Sequence, residues 1–293
     1  MTENLIIKSS YSKLVNGSLK SNYGDLIIST VLTNCIGDEF IWFTNKDSKQ
    51  LLKYFIDEKR IITSLDELSN IKKDFNFNKI YNIDNYVCNQ SLFEKIKGVW
   101  KGYIWDGMDL KPENAIINSR TPYVSMTTKK SLQETLVEGM GFKWEKQDYP
   151  LPKLKAEEKF DIGLNYGVQK EWTSKQWSME NWENLAKILE KEFTVSWQQG
   201  LNNFDEYINW LNSCKLIISC ETLGLHLASA LRKKVITLSG PIENKEYPYD
   251  RLTLIKPFPK GCMPCDSPTC VTNENCLNEI TPELVKKKVL EII

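Results

Sequence analysis

The stretch "KLIISCETLGLHLASALRKKVITLSG" (215–240) decides the fold. It reads as an apolar strand, a tight turn, an Ala/Leu-rich helix and a second apolar strand. That is the repeating unit of a parallel sheet. The alternation extends in both directions. "NLIIK" (4–8), "EFIWFT" (39–44), "RIIT" (60–63) and "KIYNI" (79–83) read as strands, with helical patterns at 24–37, 48–56, 66–75 and 131–142. The segment "KWEKQDYPLPKLKAEEKF" (143–160) is polar, carries two prolines and has no period, so it reads as a linker. Beyond it come strands at "FDIGLNYG", "FTVSWQQG", "KLIIS" and "KVITLSG" and helices at 179–192, 203–214 and 222–234. The last helix, "TPELVKKKVLEII", has Thr281 as cap and Pro282 at its first position. The expected fold class is α/β: two Rossmann-like, doubly wound domains, 1–153 and 154–293, facing a cleft. In such sheets ligands bind beyond the carboxyl ends of the strands.

Composition narrows the function classes. The chain has 293 residues, 41% hydrophobic and 26% charged, enough for a sizeable core. Basic and acidic residues number 38 each, so the formal net charge is zero. That gives no general support for a nucleic-acid or membrane-surface role. "MTENLIIKSS" lacks the apolar core of a signal peptide, and no run approaches the ~18 apolar residues of a membrane span. The expectation is a soluble cytoplasmic protein.

Three places carry candidate chemistry. His226, the single histidine, stands in the first turn of the helix after "KLIIS". Thr222, Leu223 and Gly224 form the turn before it. A helix N-terminus offers free N–H groups and a positive dipole end, so it receives phosphate. Gly224 would let a phosphate approach the backbone, and a neutral His226 could donate one hydrogen bond. The plain alternative is a core histidine among Leu225, Leu227, Ala228 and Leu231. Glu221 can cap the helix or take a sugar hydroxyl, but it would repel a phosphate. In "YGVQKEWTSKQWSMENW" (166–182), Lys175 lies between Trp172 and Trp177 and could pair with phosphate as a point charge; an ordinary exposed lysine is the alternative. In "NYGDLIIST", Asp25 opens a helix, which ordinary dipole compensation explains; it is also where a general base would sit.

Taken together, "GDLIIST", "W-x-x-K-Q-W" and "ETLGLHLASALRKKVITLSGP" resemble the bacterial ADP-heptose-dependent heptosyltransferases, glycosyltransferase family 9. "RTPYVSMTTKKSLQETLVEGMGFKW" (120–144) looks like that family's domain-joining region. The resemblance implies a GT-B architecture and inverting transfer from ADP-heptose to a glycan or protein hydroxyl, with no catalytic metal. It implies Asp25 as base, Lys175 on the diphosphate, and Glu221, Thr222, Leu223, Gly224 and His226 around the donor. Two positions depart from the family pattern. Glu221 stands where Asp is usual, and Leu223 where glycine is frequent. These departures leave room for a catalytically silent relative that binds a nucleotide sugar and acts as a scaffold. Peripheral membrane association and homo-oligomerisation are compatible with the reading; nucleic-acid binding is not expected.

"CMPCDSPTCVTNENC" places Cys262, Cys265, Cys270 and Cys276 in a C-x2-C-x4-C-x5-C pattern, which suits a structural Zn or Fe. Free thiols and disulfides are the alternatives. Related autotransporter heptosyltransferases carry a cluster that looks like an iron-binding finger. The other four cysteines read as buried small hydrophobes. The long "KSSYSKLVNGSLKSNY" (8–23), with Lys8, Lys13 and Lys20 and no acid, reads equally as a solvated loop or as a contact for an anionic acceptor. The aromatic run "VWKGYIW" (99–105) reads as core in preference to a sugar platform.

Overall fold

The structure is a computed structural model of the chain and describes residues 3–13, 19–114, 116, 130–155, 157–240, 247–258, 262, 267–270, 272 and 275–293. The chain divides into two units, Met1–Lys153 and Leu154–Ile293.

The first unit contains β1 (Asn4–Ile7), β2 (Tyr11–Lys13), β3 (Leu19–Ser21), α1 (Tyr23–Ser29), α2 (Thr33–Ile36), β4 (Phe40–Phe43), α3 (Lys46–Leu52), β5 (Ile61–Ile62), α4 (Leu65–Ile71), β6 (Asn76–Asn82), α5 (Gln90–Lys95), β7 (Lys97–Trp105), β8 (Leu110–Pro112) and α6 (Leu132–Gly139). Its main sheet runs β5-β4-β1-β6-β7-β8, parallel except for β8 at the edge. Leu5, Ile6 and Ile7 are fully buried, as the central strand of a sheet covered on both faces must be. The helix expected over 24–37 is α1, a 3₁₀ turn (Thr30–Leu32) and α2. The hydroxyls of Ser29, Thr30 and Thr33 donate to carbonyls three residues back, at 2.6, 2.7 and 2.8 Å, and such local bonds compete with the regular ladder. The "VWKGYIW" run lies on β7. Trp100 and Trp105 pack on Phe93 with ring centroids 5.7 and 5.6 Å apart, within this unit's core.

The order of strands reverses between β1 and β6, and the carboxyl ends of both carry buried charge. Lys8 Nζ donates to Asp84 Oδ1 at 2.9 Å, with side-chain exposures of 1% and 0%. Asp84 Oδ2 accepts the Ser9 N–H at 2.9 Å, and the Trp42 indole donates to the Lys8 carbonyl at 3.0 Å. This corrects the expectation that Lys8 meets an anionic acceptor, since its ammonium is withdrawn into an ion pair. The side chains of Lys13 and Lys20 lie outside the described residues. The long connection is an antiparallel β2–β3 hairpin inserted between β1 and α1, in which Tyr11 pairs with Ser21.

The second unit contains β9 (Phe160–Asn165), α7 (Met179–Leu189), β10 (Val195–Trp197), α8 (Phe204–Asn212), β11 (Cys214–Cys220), α9 (Leu223–Ala230), β12 (Lys234–Leu238), β13 (Leu252–Ile255) and α10 (Pro282–Ile292). Its sheet is wholly parallel, in the order β10-β9-β11-β12-β13, and reverses between β9 and β11. Amphipathic α7 and α10 place Trp182, Leu185, Leu189, Val285 and Val289 in one core with Ile162, Leu164, Leu216 and Ile218. Among the described residues, no helix is long and apolar enough to cross a membrane.

Removing one member of a buried ion pair strands the other in low dielectric. Lys8→Met should therefore cost about 3–5 kcal/mol of unfolding free energy in urea denaturation. Lys8→Met/Asp84→Asn should recover most of that loss, because it removes the stranded charge and keeps an acceptor for Ser9 N–H. A double variant no better than the single one would show that the pair is not what matters there.

Candidate functional site

At the reversal of the second sheet, β9 ends on Asn165, which is fully buried and stands in register beside Ser219 of β11. Asn165 Nδ2 donates to Ser219 Oγ at 2.8 Å and to Thr222 Oγ1 at 3.2 Å, while its Oδ1 accepts the Tyr207 hydroxyl at 2.6 Å. This network sets the turn that starts α9. Thr222 is the residue before the helix, yet its side chain makes no capping hydrogen bond. Asn45, Ser64, Ser131, Ser178, Asn203 and Thr281 each cap the helix they precede. Asn165 donates to the Thr222 hydroxyl instead, and among the described residues no side-chain oxygen caps the positive end of α9.

Gly224 has a different physical reason from the one read in the sequence. A Cβ there would lie 2.5 Å from the Tyr207 hydroxyl and closer still to the Asn165 amide. The glycine lets α9 seat against the Asn165–Tyr207 pair; its missing side chain does not face open space. Sequence reasoning missed both partners. Tyr207 stands at apolar spacing in its helix, and that spacing does not register its hydroxyl. The signal for Asn165 was available: a polar residue at a strand end, directly before a glycine turn.

Lys175, Glu221 and His226 are brought together. Glu221 does not cap α9: its Oε1 accepts the Tyr247 hydroxyl at 2.9 Å, and its Oε2 is buried with no partner among the described residues. Burial raises the Glu221 carboxyl above its ordinary range, opposed first by the Lys175 ammonium and then by Tyr247, Ser239 and Lys256. Burial, with Lys175 adding to it, pushes His226 down to about 3, so the imidazole is neutral at pH 7. Lys175 ends a 3₁₀ turn (Thr173–Lys175), with its Nζ 4.4 Å from the Trp172 ring centroid. Trp177 is fully buried against Trp182, with centroids 4.9 Å apart, and anchors the far side of that loop. Together these gather the Lys175 ammonium, a neutral imidazole, a helix start that no described side chain caps and a carboxyl oxygen able to accept a hydroxyl.

Asp25 belongs to the first unit. It sits in the first turn of α1, where its N–H donates to Asn22 Oδ1 at 3.1 Å and its Oδ2 accepts from Asn22 Nδ2. That reciprocal arrangement resembles a capping box. Of the clustered cysteines, Cys276 is buried at the start of a 3₁₀ turn, Cys262 and Cys270 are half-buried, and Cys265 lies outside the described residues. Among the described residues, no group of three or more His, Cys, Asp or Glu side chains is placed to hold a metal. Of the scattered cysteines, Cys214 and Cys220 are buried, and Cys35 and Cys88 are half-buried.

No protein-family model and no curated protein matches the sequence. Solved structures do match. Escherichia coli heptosyltransferase WaaC, solved with ADP-2-deoxy-2-fluoro heptose, aligns over 99% of this chain and 100% of its own, with a TM-score of 0.60 and 16% identity. A glycosyltransferase family 9 protein from Veillonella parvula aligns over 99% and 98%, with a TM-score of 0.67 and 13% identity. The iron-containing, dodecameric glycosyltransferase TibC from enterotoxigenic E. coli aligns over 99% of this chain and 75% of its own, with a TM-score of 0.57 and 13% identity.

The His226 environment sets a sign for pH dependence. The unfolded imidazole takes a proton near its ordinary value of 6.5, whereas the folded one resists until about 3. Between these values the unfolded state holds the extra proton, so stability falls as pH falls, by at most about 1.4 kcal/mol per pH unit for one group. Urea denaturation at pH 7 and pH 5 should show a steeper loss for the wild type than for His226→Gln. Equal losses would mean that the imidazole is not withdrawn from water. In architecture, two parallel-sheet α/β units in one chain, this protein has the GT-B-type fold of the family 9 heptosyltransferases.

Proposed function

We propose that this chain is an inverting glycosyltransferase that moves a heptose from ADP-heptose to a hydroxyl of a glycan or protein acceptor. The observation that carries the proposal is the start of α9, capped by no side chain among the described residues, with Lys175 and His226 beside it at the strand-order reversal of the second sheet. Structures of the same fold have been solved with ADP, and TibC with ADP-D-β-D-heptose, which supports the choice of donor.

In this reading the second unit, 154–293, binds the donor and the first unit, 1–153, serves the acceptor. The diphosphate lies against the α9 amides of the Thr222–Leu223–Gly224 turn, and Lys175 meets its charge. Charge accumulates on the diphosphate as the glycosidic bond breaks, so these fixed donors stabilise the transition state more than the ground state. His226, kept neutral, donates one hydrogen bond without repelling Lys175. The buried Oε2 of Glu221 accepts a hydroxyl of the donor, since a carboxylate there would oppose phosphate. Asp25 removes the proton of the attacking acceptor hydroxyl, which is a poor nucleophile without a base.

One observation favours a second reading. Asn22 and Asp25 bond each other reciprocally across the first turn of α1, an arrangement that a purely structural role for Asp25 also accounts for. A nucleotide-sugar binder without transferase activity would retain the donor pocket and use Asp25 only to start α1.

ADP release with ADP-heptose and a panel of glycan and peptide acceptors separates the two. Acceptor-dependent release is expected, collapsing in Asp25→Asn and falling on the order of a hundredfold in Lys175→Ala. Donor binding without acceptor-dependent release would favour the binder, and no donor binding would remove both readings.

We also read Cys262, Cys265, Cys270 and Cys276 as a structural Zn or Fe site separate from transfer. Their spacing and the iron-containing TibC support it. Metal analysis of anaerobically purified protein should return about one equivalent; less than a tenth would reject the site.

A further inference from the structure

We infer that Asn275, in the cysteine-bearing segment, is a positioning residue for Lys175, and that this segment acts as a clamp on the Lys175 loop. The inference rests on the donor role proposed for Lys175. Between β9 and α7 the chain has only a single 3₁₀ turn, in which Lys175 N–H bonds the Trp172 carbonyl and Gln176 N–H the Thr173 carbonyl, each at 3.1 Å. So short a turn satisfies the Thr173 carbonyl but leaves those of Ser174 and Gln176 without partners inside it. Asn275 supplies them. Its two Nδ2 hydrogens are shared among the carbonyls of Thr173, Ser174 and Gln176, at 3.1, 3.2 and 3.0 Å, on both sides of Lys175. Its Oδ1 accepts the Leu277 N–H at 3.1 Å, which ties the same side chain to the start of its own 3₁₀ turn.

Further bonds from this segment lie on either side. Ser174 N–H donates to the Pro268 carbonyl at 3.1 Å, and Ser174 Oγ donates to the Ser267 carbonyl at 2.5 Å. Ser178 N–H donates to Asn278 Oδ1 at 3.1 Å, and the buried Trp177 indole donates to the Ile280 carbonyl at 3.0 Å. These bonds run through main-chain groups, hydroxyls and amides and use no thiol. A flexible lysine placed by a loop contributes charge only where the loop puts it, and holding that loop before the ligand arrives removes an ordering cost from binding.

The discriminating variant is Asn275→Asp. It keeps an oxygen for Leu277 N–H and loses both N–H donors to the Lys175 loop. Hydrogen exchange without ligand should speed up in residues 172–177 and stay unchanged in α9. ADP affinity by calorimetry should weaken roughly tenfold. In a Lys175→Ala background, Asn275→Asp should cost no further affinity, because its effect passes through the lysine. Additive losses would overturn the inference, as would unchanged exchange in 172–177. If the wild type fails to bind ADP, the donor reading fails, and the exchange measurement still decides whether the clamp exists. Asn275→Gln, which retains an amide, should partly restore slow exchange; a purely destabilising position would shift the melting temperature in all three variants without singling out that loop.

Discussion

A parallel sheet buried on both faces ends its strands inside the protein, and the polar groups at those ends must satisfy one another. That constraint governs both halves of this chain. In the first, Lys8 after β1 pairs with Asp84 after β6, and the pair also holds the Ser9 amide. In the second, Asn165 at the end of β9 binds Ser219 on β11, Thr222 in the following turn and Tyr207 on α8. One solution uses charge and the other uses neutral amides and hydroxyls. The difference has a consequence. The charged pair is internally neutral and closed, whereas the neutral network draws a hydroxyl away from a helix start and leaves the dipole available.

The donor reading proposed above rests on the second half. Its cation, Lys175, is held beside an aromatic face and next to a carboxylate whose burial disfavours ionisation. A phosphate arriving there would replace solvent around Lys175 and meet amides already oriented, which is the condition under which electrostatic stabilisation is greatest. Trp177, Ser174 and the segment around 267–280 hold this loop at both ends, so the site is supported from a part of the chain far away in sequence.

The two units also differ in how much of their construction could be read from sequence. "KLIIS" and "KVITLSG" are apolar runs between a turn and a β-branched core, and they became β11 and β12 because few other conformations bury both faces. Thr281 and Pro282 marked the start of α10 for equally local reasons. By contrast, β7, β8, α5 and β13 were not read. Lys97–Trp105 mixes glycine, lysine and aromatic residues, and its strand is defined by pairing with β6 and β8, which no local pattern announces. The break in the 24–37 helix depended on hydroxyl groups bonding three residues back, a competition that apolar spacing does not register.

Sequence alone determined the alternation of strand and helix, because it depends on neighbours within a few positions. It named Lys175, Glu221, Thr222, Gly224 and His226 without being able to say what each would touch. Only the tertiary structure decided that Lys8 is spent in an ion pair, that Gly224 is small for Asn165 and Tyr207, that Glu221 leaves the helix start alone, and that Asn275 holds the lysine loop. Each of these is set by contact between segments tens of residues apart, where burial removes water and forces polar groups to choose partners that the linear order of residues does not reveal.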